Sequence, residues 1–314
     1  MTPTTPTRLL LGPQRPVTNL GDEIKRSGIP DGRIAVISAG WQEAEGDIDD
    51  VRQIAGRELV DLGLYSRAES LMKTHAGFHE AYRKRQEKLK ELQRLYRLRL
   101  RQLMIAARRT LRAEGDPELL VPEQRHAIAQ LRALDRHHLH RVRGILTDFG
   151  AEYDTNEYEP IAEQAAEVRS IIESSNAVLI TGGNVVVLLN RLLLFGVAPM
   201  LRQAPVIAWS AGAMALTDNI VLFHDRTPQG RRDPEILGPG LGELAGYVLL
   251  PDAKNRIREK DLARTGSFSR RFAPDVCVAL DSGSVLQFDG DTLVRSEQAR
   301  RLTPRGGFAQ VTAA

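Results

Sequence analysis

The stretch VIAWSAGAMALTD, residues 206–218, joins a short apolar run, one serine and a segment of small and apolar residues. The apolar run predicts a buried strand, and the residues after Ser210 predict a helix. A tight strand-to-helix corner needs small residues two positions before and after it, and Ala208 and Gly212 occupy those positions. The stretch therefore predicts a nucleophile elbow at Ser210, although a serine N-cap of an ordinary helix fits the same residues.

Four apolar runs have the composition of strands that are buried on both faces of a parallel sheet. They are RIAVISAGW (33–41), NAVLITGGN (176–184), PVIAWSAGA (205–213) and VCVALDSGSVLQF (276–288). Helical patterns follow the first three runs, which predicts an α/β fold with a doubly wound, mainly parallel sheet. Ligands bind such sheets at the carboxyl ends of the strands, so Trp41, Gly182, Gly183, Asn184 and Ser210 are expected near one site.

Residues 67–146 interrupt this alternation of strands and helices. No Gly or Pro occurs from Phe78 to Ala113, which predicts one long helix, and residues 122–146 predict a second. The spacing predicts that one face of the first helix is apolar and carries Tyr82, Leu89, Leu92, Tyr96, Leu103 and Ala106. We expect a helical-hairpin insertion at 67–146 within an α/β domain formed by residues 1–66 and 147–314.

The positive charge of the chain is concentrated in the first of these helices. Residues 82–112 contain 12 Lys or Arg and 2 Glu, whereas the formal net charge of the whole chain is +3. Nucleic-acid binding, a solvated or oligomer-forming face, and attraction of an acidic substrate are all compatible with this pattern. No nucleic-acid-binding motif accompanies the charge, so we expect a homo-oligomer contact rather than a nucleic-acid ligand.

Composition excludes several other classes. No stretch approaches the ~20 apolar residues that span a bilayer, and the first residues lack the apolar core of a signal peptide. The single cysteine, Cys277, permits no intrachain disulfide and fits a cytoplasmic location. His137 and His140 lie one helical turn apart, but two ligands do not make a metal site. With no nucleotide-binding glycine motif either, we expect neither a metal nor a cofactor.

Two backbone N–H groups are candidates for an oxyanion hole beside Ser210. An elbow directs the N–H of Ala211 at the developing negative charge. The second donor has to come from a neighbouring strand end, where Gly182 and Gly183 let the backbone approach a substrate closely.

The segments ITGGN (180–184) and AWSAGA (208–213) together resemble the cyanophycinase and α-aspartyl dipeptidase family of serine peptidases. The resemblance covers residues 8–66 and 147–295. It implies a class I glutamine amidotransferase-like fold, Ser210 as nucleophile, and cleavage of a peptide or isopeptide amide. It also implies that Gly183 and Ala211 hold the oxyanion, and that Gly182, Asn184 and Arg256 contact a peptide or amino-acid-derived substrate.

The sequence departs from the family at the general base. In LLPDAKNRIR (249–258), Asp252 stands where the family has its histidine. A carboxylate with a pKa near ~3.9 is a much weaker base than an imidazole near ~6.5, which predicts weak or absent activity. His224, fourteen residues after Ser210, is the alternative base.

Asp281 matches the region that orients the family's histidine. Here it would meet Asp252 as a second carboxylate, which would raise one pKa or bind a cation or a basic group. It is equally a turn-forming residue. Two functions follow: a serine hydrolase, or a non-catalytic relative that binds a peptide or amino acid and assembles through its helices.

Overall fold

The computed structural model describes residues 6–223 and 233–313. The strands are β1 Thr7–Leu11, β2 Ile34–Ile37, β3 Leu59–Asp61, β4 Ala177–Ile180, β5 Val206–Trp209, β6 Asn219–Leu222, β7 Glu235–Pro239, β8 Tyr247–Pro251, β9 Val276–Leu280, β10 Val285–Asp289, β11 Thr292–Glu297, β12 Arg300–Leu302 and β13 Phe308–Gln310. The helices are α1 Leu20–Arg26, α2 Asp49–Ala55, α3 Leu64–Thr74, α4 Ala76–Arg112, α5 Pro117–Glu152, α6 Glu159–Glu173, α7 Val185–Leu194, α8 Val197–Leu201, α9 Ala211–Leu216, α10 Ala253–Arg256 and α11 Leu262–Phe272, with a short 3-10 helix at Ala39–Ala44.

A seven-stranded sheet forms the centre of the molecule, in the order β11-β10-β1-β5-β4-β2-β3. The five strands from β1 to β3 in this order pair in parallel, whereas β10 and β11 pair antiparallel at one edge. The prediction of an α/β fold with a mainly parallel sheet is confirmed.

The prediction that residues 276–288 form one more parallel strand of this sheet is wrong. A turn closed by the Ser284 N–H donating to the Asp281 carbonyl (2.9 Å) splits the run in two. β9 pairs with β8 in a separate four-stranded sheet, and β10 lies antiparallel to β1 in the large sheet. A turn-forming Asp-Ser-Gly inside an apolar run was the available signal for two strands.

Alternate side chains of the central strands enter two different cores, as the pleat of a strand requires. In β1, Leu9 and Leu11 pack with α1 and α2 on one face, whereas Leu10 belongs to the larger core on the other face. That larger core also contains the buried side chains of α4 and α5. Both faces of the sheet are thus covered, which accounts for the continuous apolar runs of its strands.

The two predicted long helices are present: α4 begins two residues earlier than predicted and ends one residue sooner, and α5 extends beyond both of its predicted ends. The predicted apolar face of α4 is only partly correct: Tyr82 and Tyr96 are buried, but Ala106 is exposed. The buried stripe instead includes Arg85 and Gln93. No helix in the described part of the chain is both long and apolar enough to cross a membrane.

Polar partners explain why these two α4 side chains turn inward. The Arg85 guanidinium lies 4.3 Å from the Tyr82 ring centroid and donates to Asn190 Oδ1 (3.1 Å). Gln93 Nε2 donates to Glu235 Oε2 (3.2 Å) on β7. A buried polar group is stable when it is hydrogen-bonded, so these contacts offset the cost of burial.

A buried arginine on α11 joins the helical hairpin to the rest of the molecule. Arg271 forms two parallel hydrogen bonds to Asp135 of α5, at 2.7 and 2.6 Å, and donates to Tyr96 Oη of α4 at 2.8 Å. Its remaining nitrogen donates to the Pro234 carbonyl (2.6 Å), just before β7. One guanidinium thus connects four segments of the chain in the interior.

Candidate active site

Ser210 forms the corner between β5 and α9 with a backbone conformation that few non-glycine residues adopt. Its φ is 51° and its ψ is −116°. The hydroxyl does not cap α9, and it has no hydrogen-bond partner among residues 6–223 and 233–313. The backbone is held on both sides, because the Ser210 N–H donates to the Leu11 carbonyl and its carbonyl accepts from Met214. Backbone strain of this kind at a strand-to-helix corner is typical of a nucleophile elbow.

Glycines let three strand ends meet at this corner. A Cβ on Gly212 would lie 2.3 Å from the Ile180 carbonyl oxygen, so no larger residue fits there without a shift of the backbone. A Cβ on Gly183, which has a φ of +112°, would lie 2.4 Å from the Gly40 carbonyl oxygen. Backbone contacts of α9 with β4, and of the turn after β4 with the loop after β2, therefore require glycine at positions 212 and 183.

The corner opens into a cleft of about 1340 Å³ at the carboxyl ends of the parallel strands. Gly182, Gly183, Ser210 and Ala211 lie along it. Within the described residues, the N–H groups of Gly183 and Ala211 donate to no other group of the chain. Two N–H donors beside one hydroxyl are the components of an oxyanion hole.

Asn184, which the sequence predicted beside the substrate, is the N-cap of α7. Its Oδ1 accepts from the N–H groups of Val186 (3.0 Å) and Val187 (3.2 Å), and its own N–H donates to the Gly40 carbonyl (2.7 Å). These bonds fix the turn that carries Gly182 and Gly183. A contact between Asn184 and substrate stays a prediction.

Asp252 lines the same cleft, immediately after β8. It adopts a left-handed conformation (φ 59°, ψ 39°) that turns the chain into α10. Its carboxylate accepts from Asn255 Nδ2 at 2.7 Å and lies 3.7 Å from Arg256 Nε. Arg256 also lines the cleft, so this wall presents a carboxylate and a guanidinium together.

The Asp281 carboxylate stabilises the segment that forms this wall. Its Oδ1 accepts from the Lys254 N–H (2.8 Å), and its Oδ2 accepts from Arg300 Nη2 (2.6 Å). The basic group that Asp281 meets is thus Arg300 of the same chain, which also pairs with Glu259 (2.7 Å). Within the described residues, no group of three His, Cys, Asp or Glu side chains could hold a metal ion.

None of the six described histidines lines the cleft. His75 and His79 lie at the start of α4, and His126, His137 and His140 are exposed on α5. His138 is buried against the Tyr96 ring, at 4.1 Å between ring centroids, and burial lowers the pKa of its imidazole to about 4. His224, the predicted alternative base, lies outside the described residues.

A third wall of the cleft follows β2 and is fixed by a buried carboxylate. Trp41, Ala44 and Asp47 of this loop line the cleft. Ser38 Oγ donates to Asp61 Oδ2 (2.5 Å) and accepts from the Gly46 N–H (3.1 Å), which closes the loop. Burial raises the pKa of the Asp61 carboxyl to about 6.

Sequence reasoning missed the wall that follows β1. Gln14 and Arg15 line the cleft because β1 lies next to β5 in the sheet. The signal was present in Leu9–Leu11 followed by Gly-Pro, an apolar run with a turn. Asp50 also lines the cleft, and its Oδ2 lies 3.7 Å from Arg15 Nη2. It was missed as well, because no short sequence motif identifies it.

The model of peptidase family S51 matches residues 128–295, which is more than half of the chain. Both segments that carry the resemblance to serine peptidases lie inside this match, and the resemblance is confirmed at the level of the family. No curated protein matches the sequence.

Two solved structures are similar to the chain. A peptidase from an acI-B1 actinobacterium has 13% sequence identity and a TM-score of 0.50, with 99% of this chain and 96% of that one covered. At this identity the likeness is one of fold. A protein from Listeria monocytogenes EGD-e, provisionally assigned as a peptidase E protein, has 10% identity and a TM-score of 0.43, with 95% of this chain and 100% of that one covered.

Proposed function

Because the chain belongs to peptidase family S51, we propose that it is a serine-type hydrolase that cleaves a peptide or isopeptide amide through Ser210. The observation that carries the proposal is the Ser210 corner. Its φ of 51° raises an uncapped hydroxyl into a large cleft, beside two glycines that keep the backbone close. A strained serine with no structural bond to make is what a nucleophile requires.

The proposed reaction uses the two N–H groups at the corner. Ser210 Oγ attacks the amide carbonyl carbon as its proton passes to a base, and the N–H groups of Gly183 and Ala211 stabilise the oxyanion. The base then returns the proton to the leaving amine. Water hydrolyses the acyl-enzyme and frees Ser210. Gly182, Asn184 and Arg256 are proposed to position the substrate.

The base is either His224 or Asp252. Asp252 is favoured by its position on the cleft wall, but Asn255 and Arg256 already contact its carboxylate. His224 is favoured by elimination, because each of the other six histidines of the chain lies away from the cleft. An imidazole base predicts robust turnover at neutral pH, whereas a carboxylate base predicts weak turnover.

Labelling with a fluorophosphonate probe tests this proposal. We expect labelling of the wild-type chain and of the exposed-serine control Ser70→Ala, and none of Ser210→Ala. Peptide hydrolysis should fall by about 10³-fold or more in Ser210→Ala and in the variant that removes the true base, His224→Gln or Asp252→Asn. An unlabelled Ser210 in a folded wild-type chain would overturn the proposal.

A non-catalytic relative is the second candidate. It is favoured by Asp252, which stands in place of the family's histidine and is engaged with Asn255 and Arg256. This candidate predicts that peptides raise the melting temperature of the chain while Ser210 stays unlabelled. Robust hydrolysis that Ser210→Ala abolishes would exclude it.

We further propose that residues 67–146 are an insertion in the α/β domain of residues 1–66 and 147–314, and that the chain forms homo-oligomers through it. On α4, Leu95, Leu98 and Ile105 are 45%, 56% and 37% exposed, and their spacing of three and seven puts them on one face. Sedimentation of Leu95→Glu/Leu98→Glu tests this, because a dimer held by that face would dissociate.

The basic segment 82–112 is proposed to serve packing and assembly rather than nucleic acid. Several of its charges are already used inside the chain, since Arg97 pairs with Glu235 and Arg108 with Asp233. Retention on DNA or RNA that depends on Arg99 and Arg101 would contradict this proposal.

A cytoplasmic location is also proposed. Its support is the single cysteine, Cys277, which is buried.

A further inference from the structure

An apolar groove of about 270 Å³ lies between the helical hairpin and α7. Side chains from α4, α5, α7 and β7 form it, among them Leu89, Val142, Leu146, Val186, Leu189 and Leu237. An apolar pocket of about 150 Å³ is large enough to bind benzene, so this groove can accept a phenylalanine or leucine side chain.

The groove adjoins the candidate active site. Leu222 lines both the groove and the cleft. Val185 lines the cleft and Val186 lines the groove, although they are consecutive residues at the start of α7. An apolar site therefore lies beside the cleft, separated from a substrate in the cleft by about the thickness of one side chain.

Most polar side chains that line the groove are already hydrogen-bonded within the protein, and the exception, Lys90, is exposed at its edge. Gln93 Nε2 donates to Glu235, and Asn190 Oδ1 accepts from Arg85 (3.1 Å) and Gln86 (2.9 Å). A polar ligand group would have to break these bonds, whereas an apolar one only displaces water. The apolar part of the groove thus favours an apolar side chain over a neutral polar one.

We propose that this groove is a specificity site that binds a large apolar side chain of the peptide substrate, away from the bond that is cleaved. This inference rests on the proposed hydrolase function. The occupant follows from the position of the groove beside the cleft, its size and its mainly apolar lining. The helical insertion then takes part in substrate choice, because α4 and α5 supply one wall.

Cleavage of a positional-scanning library of acetylated hexapeptides, measured by mass spectrometry, tests the inference. At one position, wild type should prefer Phe or Leu over Ala by about tenfold or more in kcat/KM. Leu89→Trp, which fills the groove, should reduce that preference to about twofold, chiefly by lowering kcat/KM for the Phe and Leu peptides. Leu146→Trp fills the groove from α5 and should act in the same way.

The matched control is Leu119→Trp, which places the same side chain at an exposed position of α5 that lines neither the cleft nor the groove. It should keep the wild-type preference. Hydrolysis without a preference for Phe or Leu, or a preference that Leu89→Trp and Leu146→Trp both retain, would overturn the inference and leave the hydrolase proposal intact. A wild-type dimer that Leu89→Trp dissociates would also overturn it, since a second copy would then occupy the groove. If Ser210 is unlabelled and no peptide is cleaved, the hydrolase proposal itself fails, and this inference fails with it.

Discussion

The Ser210 corner and the helical hairpin are held in place by different kinds of contact. At the corner, backbone meets backbone: a Cβ on Gly212 would lie 2.3 Å from the Ile180 carbonyl oxygen. In the hairpin, charged side chains meet in the interior, where Arg271 joins Asp135 and Tyr96 across distances of more than 130 residues in sequence. The corner tolerates almost no added volume, whereas the hairpin depends on a balance of charge.

The largest effect is expected from breaking the charge balance in the hairpin. Arg271→Met keeps the length of the side chain but leaves the Asp135 carboxylate buried without its cation. Removing one partner of a buried ion pair costs about 3–5 kcal/mol, so the free energy of unfolding should fall by about that amount. Urea denaturation followed by circular dichroism measures it.

The neighbouring residue provides the control, because the Arg270 side chain is exposed and donates to the Pro304 carbonyl. Arg270→Met should change stability by about 0.5 kcal/mol or less. In Arg271→Met/Asp135→Leu the unpaired charge is gone, so much of the lost stability should return. A double variant as unstable as Arg271→Met would show that packing, not charge, holds the hairpin.

The same contrast explains how much of the molecule its sequence predicts. The corner depends on residues close together in the chain, so Ala208, Ser210 and Gly212 were sufficient to predict it. The buried face of α4 was predicted only in part, because Arg85 and Gln93 are buried through partners on other elements. The apolar periodicity of α4 does not predict such partners, because they come close to the helix only when the chain folds.

The cleft was predicted in part for a related reason. The ends of β2, β4 and β5 carry recognisable small residues, whereas Gln14, Asp47 and Asp50 reach the cleft only through the order of strands in the sheet. Strand order depends on pairing between distant segments. Residues 276–288 carried a local turn signal in Asp-Ser-Gly, but the assignment of β9 and β10 to different sheets depends on the same distant pairing.

A smaller effect is expected from adding one methyl group at the corner. Gly212→Ala forces the Ile180 carbonyl or the start of α9 to move, and overpacking of this kind costs about 1–3 kcal/mol. Labelling of Ser210 by a fluorophosphonate should slow as well, because the corner shifts. Urea denaturation and the labelling rate measure the two effects.

The hairpin offers the matched substitution. Gly144 of α5 has nothing within 4 Å of the position where a Cβ would lie. Gly144→Ala should therefore stabilise the chain by about 0.5–1 kcal/mol through helix propensity, without changing the labelling rate. Equal stability changes in the two alanine variants would contradict the view that the corner is limited by volume.

The smallest effect is expected from removing one partly buried charge beside the candidate active site. The Asp61 carboxyl, which fixes the cleft loop through Ser38, has its pKa raised by burial to about 6 from an ordinary value of 3.8. At pH values between 3.8 and about 6, the folded chain binds more protons than the unfolded chain. The contribution of Asp61 to the free energy of unfolding is therefore largest below about pH 4. It is lost as the pH rises through 6.

Asp61→Asn removes that loss, because the amide stays neutral and can still accept from the Gly63 N–H and contact Ser38. The variant should match wild type near pH 4 and exceed it by about 1–2 kcal/mol at pH 8, a value reduced for the partial exposure of the group. Thermal unfolding from pH 4 to 8 measures the difference, with the exposed Asp148→Asn as control. A stability gain that is the same at every pH would contradict this explanation. It would mean that Asp61 affects stability through hydrogen bonding alone, and that the region around the candidate active site, unlike the hairpin, contains no charge whose burial is costly.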